Sequence, residues 1–231
     1  MLRIMKKVFS LVLFLVVVQL CQSQILKYIH LSGAADLSSF SFMTDQKIIL
    51  KISPDGNLIE FGNDLEPGRY YSQPGRLQQY MGRVEYYERQ FDTVLNGKVK
   101  YIGTTTIQYY GSHENAALVG KVKSIGTLWL DYYTDFENES VRGKLKSAGQ
   151  KMFTYYTSFE NESYRGKLKS VGNINLTYFS TFDDKLIRGR IKSIGTFNYV
   201  WYTSYETTRY TGGLKSGNLQ QMVEGVLYIL W

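Results

Sequence analysis

GKVKSIGTLWLDYYTDFENESVR, residues 120–142, runs directly into GKLKSAGQKMFTYYTSFENESYR, residues 143–165. The two align over all 23 positions. Looser copies flank them, so that Gly97, Gly120, Gly143, Gly166 and Gly189 open five consecutive units with no insertion or deletion. A fixed period of this length marks a stacked array of one supersecondary unit, because each copy repeats the same faces and must bury them against its neighbours.

Apolar residues alternate within each unit, as Leu128, Leu130, Tyr132 and Phe136 do in one copy and Phe153, Tyr155 and Phe159 in the next. Period two means strand, and the abundance of Tyr, Phe, Trp, Val, Ile and Thr suits a pleated surface. Two polar marks recur per unit, Ser-x-Gly (Ser147 to Gly149) and a cluster such as Glu137-Asn138-Glu139-Ser140, which divides the unit into a hairpin and a linking turn. Matching the apolar faces of the two strands predicts a three-residue loop, Ala148-Gly149-Gln150, with glycine in a left-handed position and Gly143 opposite Tyr155. The expected fold is all-β: a long antiparallel meander of tandem 23-residue hairpins, with strands of about nine residues or ~30 Å, rolled or twisted as a single sheet.

The opposite parity is cationic. Lys121, Lys144, Lys167 and Arg190 fall in one column, Lys123, Lys146, Lys169 and Lys192 in a second, and Arg142, Arg165 and Arg188 in a third. Tyr110, Tyr133, Tyr156, Phe179 and Tyr202 lie on the intervening strands. Equivalent lysines sit two strand spacings apart, roughly 9.6 Å, where repulsion at physiological salt is modest. Neighbouring rings offset part of it, at about 0.5–1 kcal/mol for an exposed cation over an aromatic face. This Lys/Arg/Tyr face is the candidate binding surface. Its expected partner is an extended polyanion such as acidic polysaccharide, lipopolysaccharide or another envelope component, and nucleic acid suits an exported protein least. The competing structural reading is that strand lysines keep a sheet soluble and block edge pairing.

Outward from the array, residues 75–231 are read as repeats ending in a shortened unit, with 24–74 as an N-terminal capping segment. Residues 47–61 form its clearest element, two apolar runs around Ser53-Pro54-Asp55-Gly56-Asn57, which reads as a hairpin. Residues 24–45 read as extended or as a short helix, and 62–75 as a loop. Residues 1–23 read as a secretory leader: Arg3, Lys6 and Lys7 precede an apolar run too short to span a bilayer, and cleavage is expected before Gln24. Its removal lowers the net charge from +7 to +4 and takes away Cys21, the one cysteine, so no disulfide is expected. The expected location is exported: periplasmic, cell surface or secreted. Asn138-Glu139-Ser140, Asn161-Glu162-Ser163 and Asn175-Leu176-Thr177 would accept glycans in a eukaryotic secretory route, and otherwise are turn chemistry repeated by duplication.

The unit, with Tyr164-x-Gly166-x-Leu168 opening a strand and an acidic turn near its end, resembles the MORN-type repeat in period and strand plan. It departs from that family where Tyr132-Tyr133 and Tyr155-Tyr156 replace the second pair of glycines. The resemblance implies a twisted antiparallel sheet used in binding or assembly, without catalysis.

Signals of an enzyme are absent from the sequence. His30 and His113 stand apart from any acid or nucleophile pattern, and no phosphate loop or metal-spaced cluster occurs. Asp135, Glu137 and Glu139 place oxygens at alternate positions of a turn, which suits calcium, but Ser158 replaces Asp135 in the next copy and solvated carboxylates are the simpler reading. Asp131 is read as the partner of Lys144 rather than as a lone base. No cofactor, metal or catalytic residue is expected. The alternative to a secreted binding or structural protein is an outer-membrane β-barrel, suggested by strand length, tyrosine content and the terminal Trp231, and opposed by the uniformly tight turns.

Overall fold

A computed structural model describes residues 24–65, 75–89, 91–206 and 209–231. The leader and most of the 62–75 loop lie outside these residues. The chain begins with an antiparallel meander, β1 (Ile25–Ser32), β2 (Asp36–Met43), β3 (Ile48–Ile52), β4 (Leu58–Asp64) and β5 (Leu77–Gln79). Residues 24–45, open between helix and extended chain in the sequence, are a hairpin: Gly33 and Ala34 turn at φ 59° and 51°, and Ser32 pairs with Asp36. The Pro54-Asp55-Gly56 turn joins β3 to β4 as expected. β4 runs on through Gly62, where β5 crosses so closely that a Cβ would come within 2.2 Å of the Gln78 carbonyl.

The array follows as β6 (Val84–Tyr86), β7 (Val99–Ile102), β8 (Thr105–Tyr109), β9 (Val122–Ile125), β10 (Leu128–Tyr132), β11 (Leu145–Ala148), β12 (Lys151–Tyr155), β13 (Leu168–Val171), β14 (Ile174–Tyr178), β15 (Ile191–Ile194) and β16 (Phe197–Asn198). A two-stranded continuation, β17 (Val200–Trp201) and β18 (Leu214–Ser216), leads to the final hairpin β19 (Gln220–Val223) and β20 (Val226–Leu230). Each repeat is thus a hairpin of strands only four or five residues long, roughly 15 Å, followed by an ordered connection. The strands are half the expected length because the acidic clusters belong to these connections.

The hairpin loop is two residues, not three. Ala148 pairs with Lys151 and Ser147 with Met152, leaving Gly149-Gln150 as the loop with Gly149 at φ 57°, the first-position glycine of a type II′ turn. Parity is restored by a bulge: Asp131 faces Ser147 but Tyr132 faces Leu145. Leu145 and Ala148, three apart, therefore both point inward with Phe153 and Tyr155. Gly143 does not lie beneath Tyr155, which pairs with Leu168. At φ 72° it turns the chain into β11, and its N–H donates to the Tyr133 carbonyl at 2.8 Å.

The meander is divided over two sheets. The 11-stranded sheet runs in order from β6 to β16, and the seven-stranded sheet has the order β19-β20-β1-β2-β3-β4-β5. The last strand, β20, lies parallel to the first, β1, so the first and last strands of the described residues meet in one sheet. That sheet covers the apolar face of the array. Phe40, Phe42, Leu50 and Ile52 join Leu130, Tyr132, Leu145, Phe153 and Leu176 in one continuous core, with the Phe40 and Phe153 rings 4.7 Å apart. Each such side chain contributes about 1.5–3 kcal/mol on burial. Main-chain bonds pin the two sheets at three units: Val122 donates to Gly56, Leu145 to Pro54 and Ile191 to Ala34, at 2.9, 2.9 and 2.8 Å. Neither sheet closes on itself, so the outer-membrane barrel is not the fold.

Candidate binding surface

The two lysine columns, read as one face in the sequence, have different surroundings. Lys121, Lys144, Lys167 and Arg190 sit at the entry to the first strand of each unit, below the turns of the covering sheet. Lys121 donates to the Gly143 carbonyl and Lys144 to the Gly166 carbonyl, both at 2.5 Å, and Arg190 bonds to Gly212 in the same way. Lys167 pairs with Asp36. Each cation lies over the buried ring of its unit, at 5.4 Å for Lys121 on Tyr132 and 5.2 Å for Lys144 on Tyr155. Burial pulls the Lys121 and Lys144 ammonium groups below their usual range, with Asp55 partly opposing it. Lys121, Lys144 and Arg190 thus tie their repeats to the next, and Lys167 ties the array to the covering sheet. The Asp131 to Lys144 pair expected from the sequence does not form, because the ammonium is already held by Gly166.

The second column faces outward but is neutralised by the acidic turn of the preceding repeat. Lys123 meets Glu114 at 2.9 Å, Lys146 meets Glu137 at 3.5 Å, Lys169 meets Glu160 at 2.7 Å and Lys215 meets Glu206 at 2.5 Å. The same ammonium groups lie 5.0 to 5.5 Å over Tyr110, Tyr133, Tyr156 and Tyr202. Lys192 is the exception: it covers Phe179 at 5.6 Å, while Asp183, one methylene shorter than glutamate, caps Ser180 instead. Of the third column, Arg142 stands 3.9 Å from Asp135 and Arg188 donates to the Asp183 carbonyl at 2.8 Å. Among the described residues Arg165 and Lys192 form no ion pair with a carboxylate.

Tyr133 and Tyr156 are half-buried rather than displayed. Their hydroxyls donate to the Phe153 and Leu176 carbonyls of the next unit, at 3.0 and 2.9 Å, and their rings meet Tyr155 and Tyr178 edge-on near 6 Å. The preceding tyrosines point into the core: Tyr132, Tyr155 and Tyr178 donate to Val122, Leu145 and Leu168 of their own units. Burial holds these phenols neutral, far above their ordinary range. The aromatic pairs therefore staple the repeat, one ring inward and one forward.

The connections carry the feature that sequence reasoning misplaced. Phe136 and Phe159, assigned inward by parity, are 92% exposed, as are Phe182 (94%) and Tyr205 (86%) at the equivalent positions. Each ring rides on a capped turn. Glu137 accepts from the Thr134 N–H at 2.6 Å and from its hydroxyl, and Glu160, Asp183 and Glu206 repeat the cap on Thr157, Ser180 and Thr203. Successive turns are joined: the Asn138 amide donates to the Ser158 hydroxyl at 2.7 Å, Asn161 to Thr181 at 2.8 Å, and Asp184 accepts from Ser204. The 23-residue recurrence of Phe136, Phe159, Phe182 and Tyr205 was visible in the sequence. Strict alternation does not extend into the turn, where the Thr134 and Glu137 cap sets the direction of the ring.

A depression of about 520 Å³ lies on the far side of the covering sheet, beside His30, Lys51, Glu60, Arg76 and Gln220. The described residues contain no group of three His, Cys, Asp or Glu able to hold a metal ion; Glu137 is occupied by Thr134 and Lys146. Comparison with known protein families, curated proteins and solved structures returns no match.

Proposed function

We propose that this is an exported, non-catalytic β-repeat protein that binds an extended surface polymer laid across successive repeats, with each unit offering the same contact. One observation carries the reading: a rigid scaffold, bonded from unit to unit by Lys121, Tyr133, Asn138 and their equivalents, presents identical side chains to solvent at a fixed pitch of roughly 9.6 Å. A one-dimensional lattice of weak equal contacts gains by multivalency on a periodic chain and gains nothing on a small molecule. The use in binding or assembly implied by likeness to MORN-type arrays agrees with this. The pairing of the lysines moves the expected contact away from a purely polyanionic partner, leaving Arg165 and Lys192 without a carboxylate among the described residues.

The test is retention of the full exported chain on a panel of immobilised polysaccharides, acidic and neutral. Retention by at least one polymer, with no competition from its monosaccharide, is the expected result. No retention on any of them overturns the proposal.

A further inference from the structure

We propose that the row Phe136, Phe159, Phe182 and Tyr205 is a stacking platform for a neutral, extended polysaccharide, one ring taking one face of the sugar chain at each repeat. The inference rests on the array being a polymer binder and names the ligand and the contacts.

The rings are not a hydrophobic patch. Each is at least 86% exposed, and among the described residues none of them makes a ring contact with another. Association of two protein surfaces, or insertion into lipid, gains from continuous apolar area. Separate rings on a fixed pitch gain from a ligand whose own apolar faces recur, and the C–H faces of a pyranose chain do so at every second residue. The spacing of alternate strands, roughly 9.6 Å, is comparable with the disaccharide repeat of an extended β-linked glycan.

Charge decides between neutral and anionic polymers. Around the row the turns compensate themselves: Arg142 with Asp135, Lys146 with Glu137, Lys169 with Glu160 and Lys215 with Glu206. A strand of nucleic acid or an acidic glycan needs a continuous positive groove beside the stacking rings, and the pairing breaks it into separate cations such as Arg165 and Lys192. What remains beside the rings is hydroxyl and amide chemistry, Ser158 with Asn138 and Thr181 with Asn161, suited to sugar hydroxyls. The turns are already capped and cross-linked, so binding orders little that is not ordered beforehand.

The experiment is affinity gel electrophoresis of the full exported chain with soluble β-linked glucan, mannan and xylan, alongside heparin and flotation with phosphatidylcholine and phosphatidylglycerol vesicles. The expected result is retardation by at least one neutral glycan. Each single change among Phe136→Ala, Phe159→Ala and Phe182→Ala should weaken it by about two- to tenfold, as stacking contacts of about 0.5–1.5 kcal/mol imply. The triple variant should lose it while keeping the wild-type unfolding midpoint. Retardation unchanged in the triple variant leaves polymer binding standing and overturns the ring platform. Ring-dependent binding to heparin or vesicles alone, or ring-dependent self-association by light scattering with no glycan retained, overturns it as well.

Discussion

Tyr155 and Tyr133 show at residue scale how the repeat uses one side-chain type in two ways. The Tyr155 hydroxyl is buried against the Leu145 carbonyl at 2.9 Å, so Tyr155→Phe leaves an acceptor in the core without its donor. A loss of about 1–3 kcal/mol is expected in urea denaturation. Tyr133→Phe removes the hydroxyl of a half-buried ring, where water can take its place on the Phe153 carbonyl, and should cost at most about 1 kcal/mol; equal losses would contradict the assignment of one inward and one forward ring. His30 gives a pH dependence. Burial first, and Lys51 second, push its ring from 6.5 down to about 4, and its Nε2 has no partner among the described residues while Glu60 and Arg76 line the same depression. Above pH 6.5 the ring is neutral in both folded and unfolded chains. Between 6.5 and about 4 only the unfolded chain takes up the proton, so stability should fall as pH drops through that window. His30→Gln should flatten that slope. The decline below the ordinary glutamate value of 4.5 should persist, because Glu137, held low by Thr134 first and Lys146 after it, still has to be protonated.

At the scale of the element, the two-residue turn and the bulge act together. The turn fixes Ser147 opposite Met152, and the bulge then returns Leu145 to the face that Ala148 occupies. Gly149→Ala should cost more than Gly172→Ala, although both glycines sit at φ 57°. The left-handed penalty of about 1–2 kcal/mol is common to both. Only at Gly149 would the new Cβ come within 3.1 Å of Leu128, whereas Gly172 has nothing within 4 Å. Thermal unfolding of the two variants measures the difference, and a larger loss at Gly172 would contradict this packing. Such turns also show what was legible in the sequence. The period, the strands, and the inward Leu145, Phe153 and Tyr155 follow from alternation alone. A bulge at Lys146 does not, because it changes parity without changing composition. Phe136 and Phe159 depart from alternation because they lie past the strand, in a turn whose geometry is set by the Thr134 and Glu137 cap and its equivalent at Thr157 and Glu160.

For the whole molecule, the decisive contact joins segments far apart in the chain, and neither carries a local mark of it. Nothing in residues 24–61 names the surface they cover. The array needed a cover for its apolar face, and the cover is a sheet built from strands on both sides of the array in sequence, closed where the Trp231 N–H donates to the Leu31 carbonyl at 3.1 Å. This separates the protein from solenoids in which each unit touches only its neighbours and units can be added or removed. Here the cover grips the array at fixed places, Gly56 at Val122, Pro54 at Leu145 and Ala34 at Ile191. Deleting residues 143–165 preserves every junction between neighbouring repeats, since Lys121 can then hold Gly166 in place of Gly143. It also moves Ile191 one unit, roughly 9.6 Å, toward Val122 while the spacing of Gly56 and Ala34 in the covering sheet is unchanged. The deletion should therefore remove the single cooperative unfolding transition, or prevent folding, rather than lower stability by one unit's share. Urea unfolding followed by both tryptophan fluorescence and circular dichroism tests this: coincident transitions with a proportionate decrease in slope would show that the cover slides along the array and that nearest-neighbour stacking alone sets its length.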